Sequence, residues 1–244
     1  MNKEKIYVLS MNPVAMERCF LMADILAEVY DEPYIEYGLI GLATESSPFN
    51  VVATPVLTGQ HVTAGSVYQS GYNVFRLRRE MHLLSERLRQ PLVPITFVHR
   101  HPGSCGMSLT DEKFLTGPFV DQVSTVVALS EKMVVQPDDF NCHCEEIERV
   151  TQHSLKGNQE RDAVTIEYSI CFSTIVNRER EFSIDAACKQ FCPFCKKSTV
   201  RLVPAALRIN PGDQLTKAKL GKLRSQLEVE IEAKLEFEQS VKTE

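Results

Sequence analysis

The chain has no tryptophan, no excess of basic residues and no long apolar run, and each absence narrows what it can be. Lysine and arginine total 27 against 32 acidic residues, for a net charge of −5 and a pI near 5.8. That balance argues against nucleic acid or an anionic membrane as the main partner. No segment approaches the run of about 20 apolar residues that crosses a bilayer. The opening MNKEKIYVLSMNP has basic residues but few apolar ones before Asn12-Pro13. It is a poor secretory signal and a better first strand, so a cytoplasmic location is expected. There is no internal repeat and no low-complexity linker.

What is present is an ordinary globular composition, 43% hydrophobic and 24% charged over 244 residues, with eight cysteines. The length suits one large domain or a domain with an extension. Without a secretory signal, clustered cysteines point to metal binding more than to disulfides.

Along the chain, Asn12-Pro13 is a helix-start signal, and Met16, Phe20, Ala23, Ala27 and Tyr30 recur at helical spacing to about residue 30. Residues 35–42 and 50–57 look like strands. Val74, Leu77, Met81, Leu84 and Leu88 make an amphipathic helix within 70–90, ended by Pro91 and Pro94. A short buried strand, 95–98, follows. A helix is expected from Ser108 to about Leu115, then strand-like STVVALS and KMVVQ, a helix over 145–155 and a polar turn at 157–162. VTIEYSICF largely alternates and is a strand; FSIDA and TVRLV flank FCPFC as a hairpin. The last thirty residues carry Leu220, Leu223, Leu227, Ile231 and Leu235 on one side, spacing that does not sustain a heptad and favours docking on the chain's own domain. The expected class is α/β or mixed α+β: a central sheet with helices on both sides, a cysteine-rich extension and a C-terminal helix. The expected divisions are a core over 1–136, the extension over 137–210 and the helix over 211–244.

The stretch with chemical content is FVHRHPGSCGMSLTD, residues 97–111. In an extended strand Phe97, His99 and His101 share a face, so two imidazoles aim at one point, as zinc requires. Pro102 stops the strand, and the glycine-bearing loop that follows can turn the chain back so that Asp111 supplies a third ligand. Two histidines and one aspartate leave a fourth position open, as in catalytic rather than structural zinc sites. SLTD is also a capping box, with Ser108 as N-cap and Asp111 at the third helical position; the two readings are compatible. Cys105, in the same loop, is a rival ligand.

His99-Arg100-His101-Pro102 followed by Ser108-Leu109-Thr110-Asp111 resembles the signature of the JAMM, or MPN-plus, zinc metalloproteases, of the prokaryotic, deubiquitinase-like kind. The resemblance spans roughly residues 5–136. It implies that His99, His101 and Asp111 bind a catalytic zinc and that Ser108 helps stabilise a tetrahedral oxyanion. It also implies a glutamate on an earlier strand as general acid and base. Glu36 in IEYGLIG is the best match, with Glu32 and Glu45 as fallbacks. Where the family has a small residue between the histidines, this chain has Arg100, which would contact substrate or a carboxylate if it points away from the metal. The implied activity is hydrolysis of the peptide or isopeptide bond after the C-terminal tail of a ubiquitin-like protein. Processing of a sulfur-carrier-like protein and a non-catalytic scaffold of the same fold are the alternatives.

The remaining cysteines suggest a second, structural zinc. Cys192-Pro193-Phe194-Cys195 is a C-x-x-C knuckle, and Cys142 and Cys144 are the best second pair, with Cys188 as an alternate. Free thiols or a redox-active C-x-x-C are the competing readings.

Overall fold

The computed structural model describes residues 5–30, 36–57, 60–63, 66–69, 74–101, 105–134, 163–177, 179–192, 197–211 and 215–237. It is a mixed α/β arrangement built on a nine-stranded sheet. In chain order the elements begin β1 (Tyr7–Met11), α1 (Pro13–Tyr30), β2 (Gly38–Thr44), β3 (Ser47–Ala53), β4 (Gln60–Thr63), β5 (Ser66–Gln69) and α2 (Val74–Leu88). Then come β6 (Leu92–Arg100), α3 (Leu109–Phe114), a π-helical turn (Leu115–Phe119), α4 (Val120–Ser124) and β7 (Leu129–Val134). The chain ends with β8 (Ala163–Val176), β9 (Phe182–Phe191), β10 (Ser198–Val203), β11 (Ala205–Ile209), α5 (Lys217–Lys234) and β12 (Leu235–Phe237).

Local sequence explains the first turn. Asn12 Oδ1 accepts the Val14 N–H at 2.8 Å and caps α1, with Pro13 at the first helical position, where its missing N–H costs nothing. The apolar side of α1, including Ala15, Cys19, Met22, Ile25 and Leu26, is buried. The apolar stripe of α5, Leu223, Leu227 and Ile231, is buried too, and α5 lies along α1. Arg18 of α1 binds Glu230 of α5 at 2.9 Å. The tail helix is therefore docked within the chain.

The strand order is β10-β9-β8-β6-β2-β3-β1-β11, with β7 also paired to β8. The first and last strands of that order are separated only by Pro204, whose carbonyl accepts the Tyr7 N–H at 2.9 Å. Phe49 of β3 and Phe172 of β8 meet edge to face at 5.8 Å, although β2 and β6 lie between their strands. A flat sheet would hold them far apart; this one curls until its two ends share one run of chain. β4 and β5 form a separate hairpin, and β12 adds to β4 in parallel.

Several sequence expectations shift. The strand holding the histidines is longer than 95–98, running from Leu92 to Arg100. STVVALS is not a strand: α4 ends at Ser124 and a turn leads into β7 at Leu129. Gly117-Pro118 sits inside the π turn, where proline's missing N–H disturbs the normal helical ladder. The expected boundary near residue 136 does not divide the sheet, because β8 pairs with β6 and β11 pairs with β1. The helix expected over 145–155 and the turn at 157–162 lie outside the described residues. No described helix is long and apolar enough to cross a membrane.

Candidate metal centre

β6 delivers the first histidine. His99 is 2% exposed and stacks on Phe97, two residues back on the same face, with ring centroids 5.2 Å apart. His101 follows directly on the strand, and its N–H donates to Val176 O of β8 at 3.0 Å, which carries the pairing one residue further. The two imidazoles therefore share a face, as strand alternation predicts, with centroids 4.9 Å apart.

Asp111 arrives from the other side. Ser108 caps α3: its Oγ accepts the Asp111 N–H at 3.2 Å, while Asp111 Oδ2 accepts the Ser108 N–H at 2.9 Å and the Ser108 hydroxyl at 2.6 Å. This is the expected capping box, and it fixes the carboxylate at the start of the helix. The helix is seated by aromatic packing: Phe97 meets Phe114 at 5.2 Å and Phe119 at 6.4 Å. Asp111 Oδ1 consequently lies 3.2 Å from His99 Nε2, and Oδ2 lies 3.2 Å from His101 Nε2.

The three residues fit a metal ion. One ligand atom from each can be chosen so that all lie within 4.8 Å of one another. A four-coordinate ion with bonds of about 2.0–2.2 Å needs donors about 3.3–3.6 Å apart, close to the 3.2 Å between each imidazole Nε2 and its Asp111 oxygen. A more telling observation is that both ring nitrogens of His99 are buried without a hydrogen-bond partner. Nε2 is close to Asp111 Oδ1 but not aligned for a hydrogen bond, and an imidazole lone pair aimed into such a space is what a cation satisfies. Among the described residues His99, His101 and Asp111 form the group that could hold a metal; Cys105 is not part of it.

The electrostatics agree with shared protons in the absence of metal. Burial pushes the Asp111 carboxyl up, but the close His101 and His99 rings outweigh it and hold the group well below the usual carboxylate range. The Asp111 contact raises the His101 pKa, burial opposes it, and the Glu36 charge adds to the rise.

Glu36 is therefore near the site, and the register explains why. Gly38 pairs with His99, and Arg100 N–H donates to Tyr37 O at 3.1 Å. One residue further, Glu36 stands opposite His101 on the face of the histidines, two residues before β2 begins. Of the fallback bases, Glu45 lies beyond the far end of β2, where Thr44 pairs with Leu92. Glu32 lies outside the described residues.

Arg100 alternates to the other face and is 1% exposed, so contact with a substrate is corrected: the side chain is interior, close to Tyr37. Cys105 lies against the β8–β9 turn, its carbonyl accepting the Ser183 hydroxyl. Cys192 is buried at the end of the hairpin, its N–H donating to Lys197 O at 2.9 Å. Cys188 is buried on β9. Cys142, Cys144 and Cys195 lie outside the described residues. A cavity of about 590 Å³ opens between α1, α2 and α5, and none of the three ligands lines it.

One acidic residue near the centre escapes local reading. Asp185 of β9 is half-buried; burial raises its pKa and the nearby His99 lowers it. It lies far from the motif in sequence, and only the pairing of β9 and β8 with β6 brings it near. No protein-family model matches this chain, and no curated protein matches it significantly.

Proposed function

We propose that this chain is a zinc-dependent metallopeptidase of the JAMM (MPN-plus) type, with an MPN-like sheet as its scaffold. Its reaction is hydrolysis of the peptide or isopeptide bond after the C-terminal tail of a ubiquitin-like protein. The observation that carries the reading is the convergence of His99 Nε2, His101 Nε2 and both oxygens of Asp111, with Glu36 in register beside them. Two imidazoles and one carboxylate are a ligand set typical of catalytic rather than structural zinc.

Zinc bound there supplies Lewis-acid polarisation of the scissile carbonyl and of a water molecule. Glu36 takes the water proton and passes it to the leaving amine, a role suited to a half-buried carboxylate beside the ligands. Ser108, exposed at the rim with its hydroxyl held on Asp111, donates to the oxyanion when that contact is exchanged for substrate. Asp111 keeps its place through the capping box during that exchange.

The second zinc, on Cys142, Cys144, Cys192 and Cys195, is part of the same proposal. Cys192 sits where the β9–β10 hairpin turns, a position suited to a zinc knuckle. The deciding experiment is zinc quantification on wild type and His101→Ala, together with cleavage of a ubiquitin-like fusion. Metal in excess of the cysteine-held ion, lost with His101, supports the centre. Wild type that binds no such metal ends the enzymatic reading.

A further inference from the structure

We propose that Asp185 is a positioning residue of the metal centre, its carboxylate accepting the Nδ1 proton of His99 through one water. The inference rests on the metal-centre reading of His99, His101 and Asp111, and it concerns how the chain holds the first of these rings.

A neutral imidazole offers one lone pair and one N–H. His99 turns Nε2 toward Asp111 Oδ1, so Nε2 is the ligand atom and Nδ1 carries the proton. That Nδ1 is buried and has no hydrogen-bond partner. Metal-ligating histidines almost always give this proton to a carboxylate, a carbonyl or a water, which sets both tautomer and ring orientation. The centre as built from His99, His101 and Asp111 is therefore one acceptor short.

The sheet supplies a carboxylate on the correct face. Phe97 pairs with Ser173 of β8, and Ser173 pairs with Asp185 of β9, so these three stand in one row. His99 belongs to the same face one pleat along, and its ring stacks on that of Phe97, a member of that row, at an interplanar angle of 23°. The face is identified independently: Lys189, in alternation with Asp185, reaches Asp121 of α4 at 2.7 Å, and Ser169 of β8 donates to Val127 O at 2.7 Å. Both contacts are to α4 and the segment that follows it. The other carboxylates near the centre have different work. Asp111 is held by Ser108 and the Nε2 atoms, and Glu36 stands across from His101. Asp185 is half-buried on that same face.

The test is zinc affinity of the full-length chain by chelator competition, for wild type, Asp185→Asn and Asp185→Leu, with the thermal midpoint of each metal-free protein. Loss of the acceptor in Asp185→Leu should weaken zinc binding about 10–100-fold. Asp185→Asn, which keeps an acceptor oxygen and the shape, should recover most of that loss at an unchanged midpoint. Wild-type affinity in Asp185→Leu overturns the proposal, and so does an Asp185→Asn variant as weak as Asp185→Leu. A measurement that needs no variant is the nitrogen spectrum of His99 in the zinc-loaded wild-type chain. Protonation at Nδ1 with a hydrogen-bonded shift is expected; zinc on Nδ1 with the proton on Nε2 overturns the proposal. The failures are distinguishable: wild type without zinc removes the whole centre, whereas equal zinc affinity in wild type and Asp185→Leu removes Asp185 alone.

Discussion

Glu36 and His101 face one another across the β2–β6 pair, one step beyond the Gly38–His99 pairing and the 3.1 Å bond from Arg100 N–H to Tyr37 O. A carboxylate so placed is outside the ligand set yet near enough to raise the His101 pKa. Glu36→Gln keeps the shape and removes the base. Cleavage of a ubiquitin-like fusion should fall about 10²–10⁴-fold with zinc content unchanged. A variant that cuts as fast as wild type assigns the base elsewhere.

The ligands themselves are tested by metal content. His101→Ala and Asp111→Asn should each lose the zinc held by the His99 group, read by elemental analysis after dialysis against trace-metal buffer. Zinc retained at the wild-type ratio in both variants would place all bound metal on cysteines.

The metal-free protein should depend on pH in a defined direction. Asp111 raises the His101 pKa, burial opposes the rise and Glu36 adds to it. The folded state thus holds this proton more tightly than the unfolded chain does, whose value is about 6.5. The stabilisation is complete below that value and is lost as pH rises through the higher folded value. The thermal midpoint of metal-free protein should therefore fall across this window. Zinc, which requires the neutral imidazole, should bind more tightly over the same rise. A flat midpoint in His101→Ala alongside a falling one in wild type assigns the effect.

Gly41 pairs with Thr96 on the histidine strand, and a Cβ there would overlap Thr96 Cγ2 while meeting Val51 Cγ1 at 3.4 Å. Thr96 is fully buried and its hydroxyl is 3.1 Å from that of Thr174, so it cannot swing away freely. Gly41→Ala should destabilise by about 1–3 kcal/mol, measured by urea denaturation. A neutral result would mean that β2 and β6 separate easily.

Docking of α5 can be weighed directly. Leu227 is fully buried against the core. Leu227→Ala should cost about 2–5 kcal/mol, with the molecular mass in solution unchanged. A change in mass with little loss of stability would turn the stripe into an interface between chains.

The site was more legible than the fold around it, for a physical reason. His99, His101, Ser108 and Asp111 lie within one short stretch, and strand alternation and the capping box act over two to four residues. Glu36 required only one antiparallel pairing. Asp185 and the partnership of β6 with β8 depend on contacts between distant parts of the chain, which no local period encodes. STVVALS shows the opposite failure: its β-branched run suits a strand, but Ser124 ends α4 and Thr125 to Ala128 form the turn after it, with the Val126 and Val127 N–H groups both donating to Val123 O, before β7 begins at Leu129. Arg100, expected to contact substrate or a carboxylate, is interior because it alternates with two histidines that must share the other face.

The parallel pairing of β6 with β8 bears on how the protein is made. A ribosome completes His99, His101 and Asp111 well before it completes the strand on which β6 leans, and β11, which joins β1, comes later still. Such non-local pairing folds slowly, so the nascent chain exposes two histidines and a carboxylate without the walls that give them one geometry. On the metal-centre proposal, selection belongs to the finished molecule: an ion met during synthesis would find loose ligands, while one met afterwards would find a site whose spacing the C-terminal half has already set.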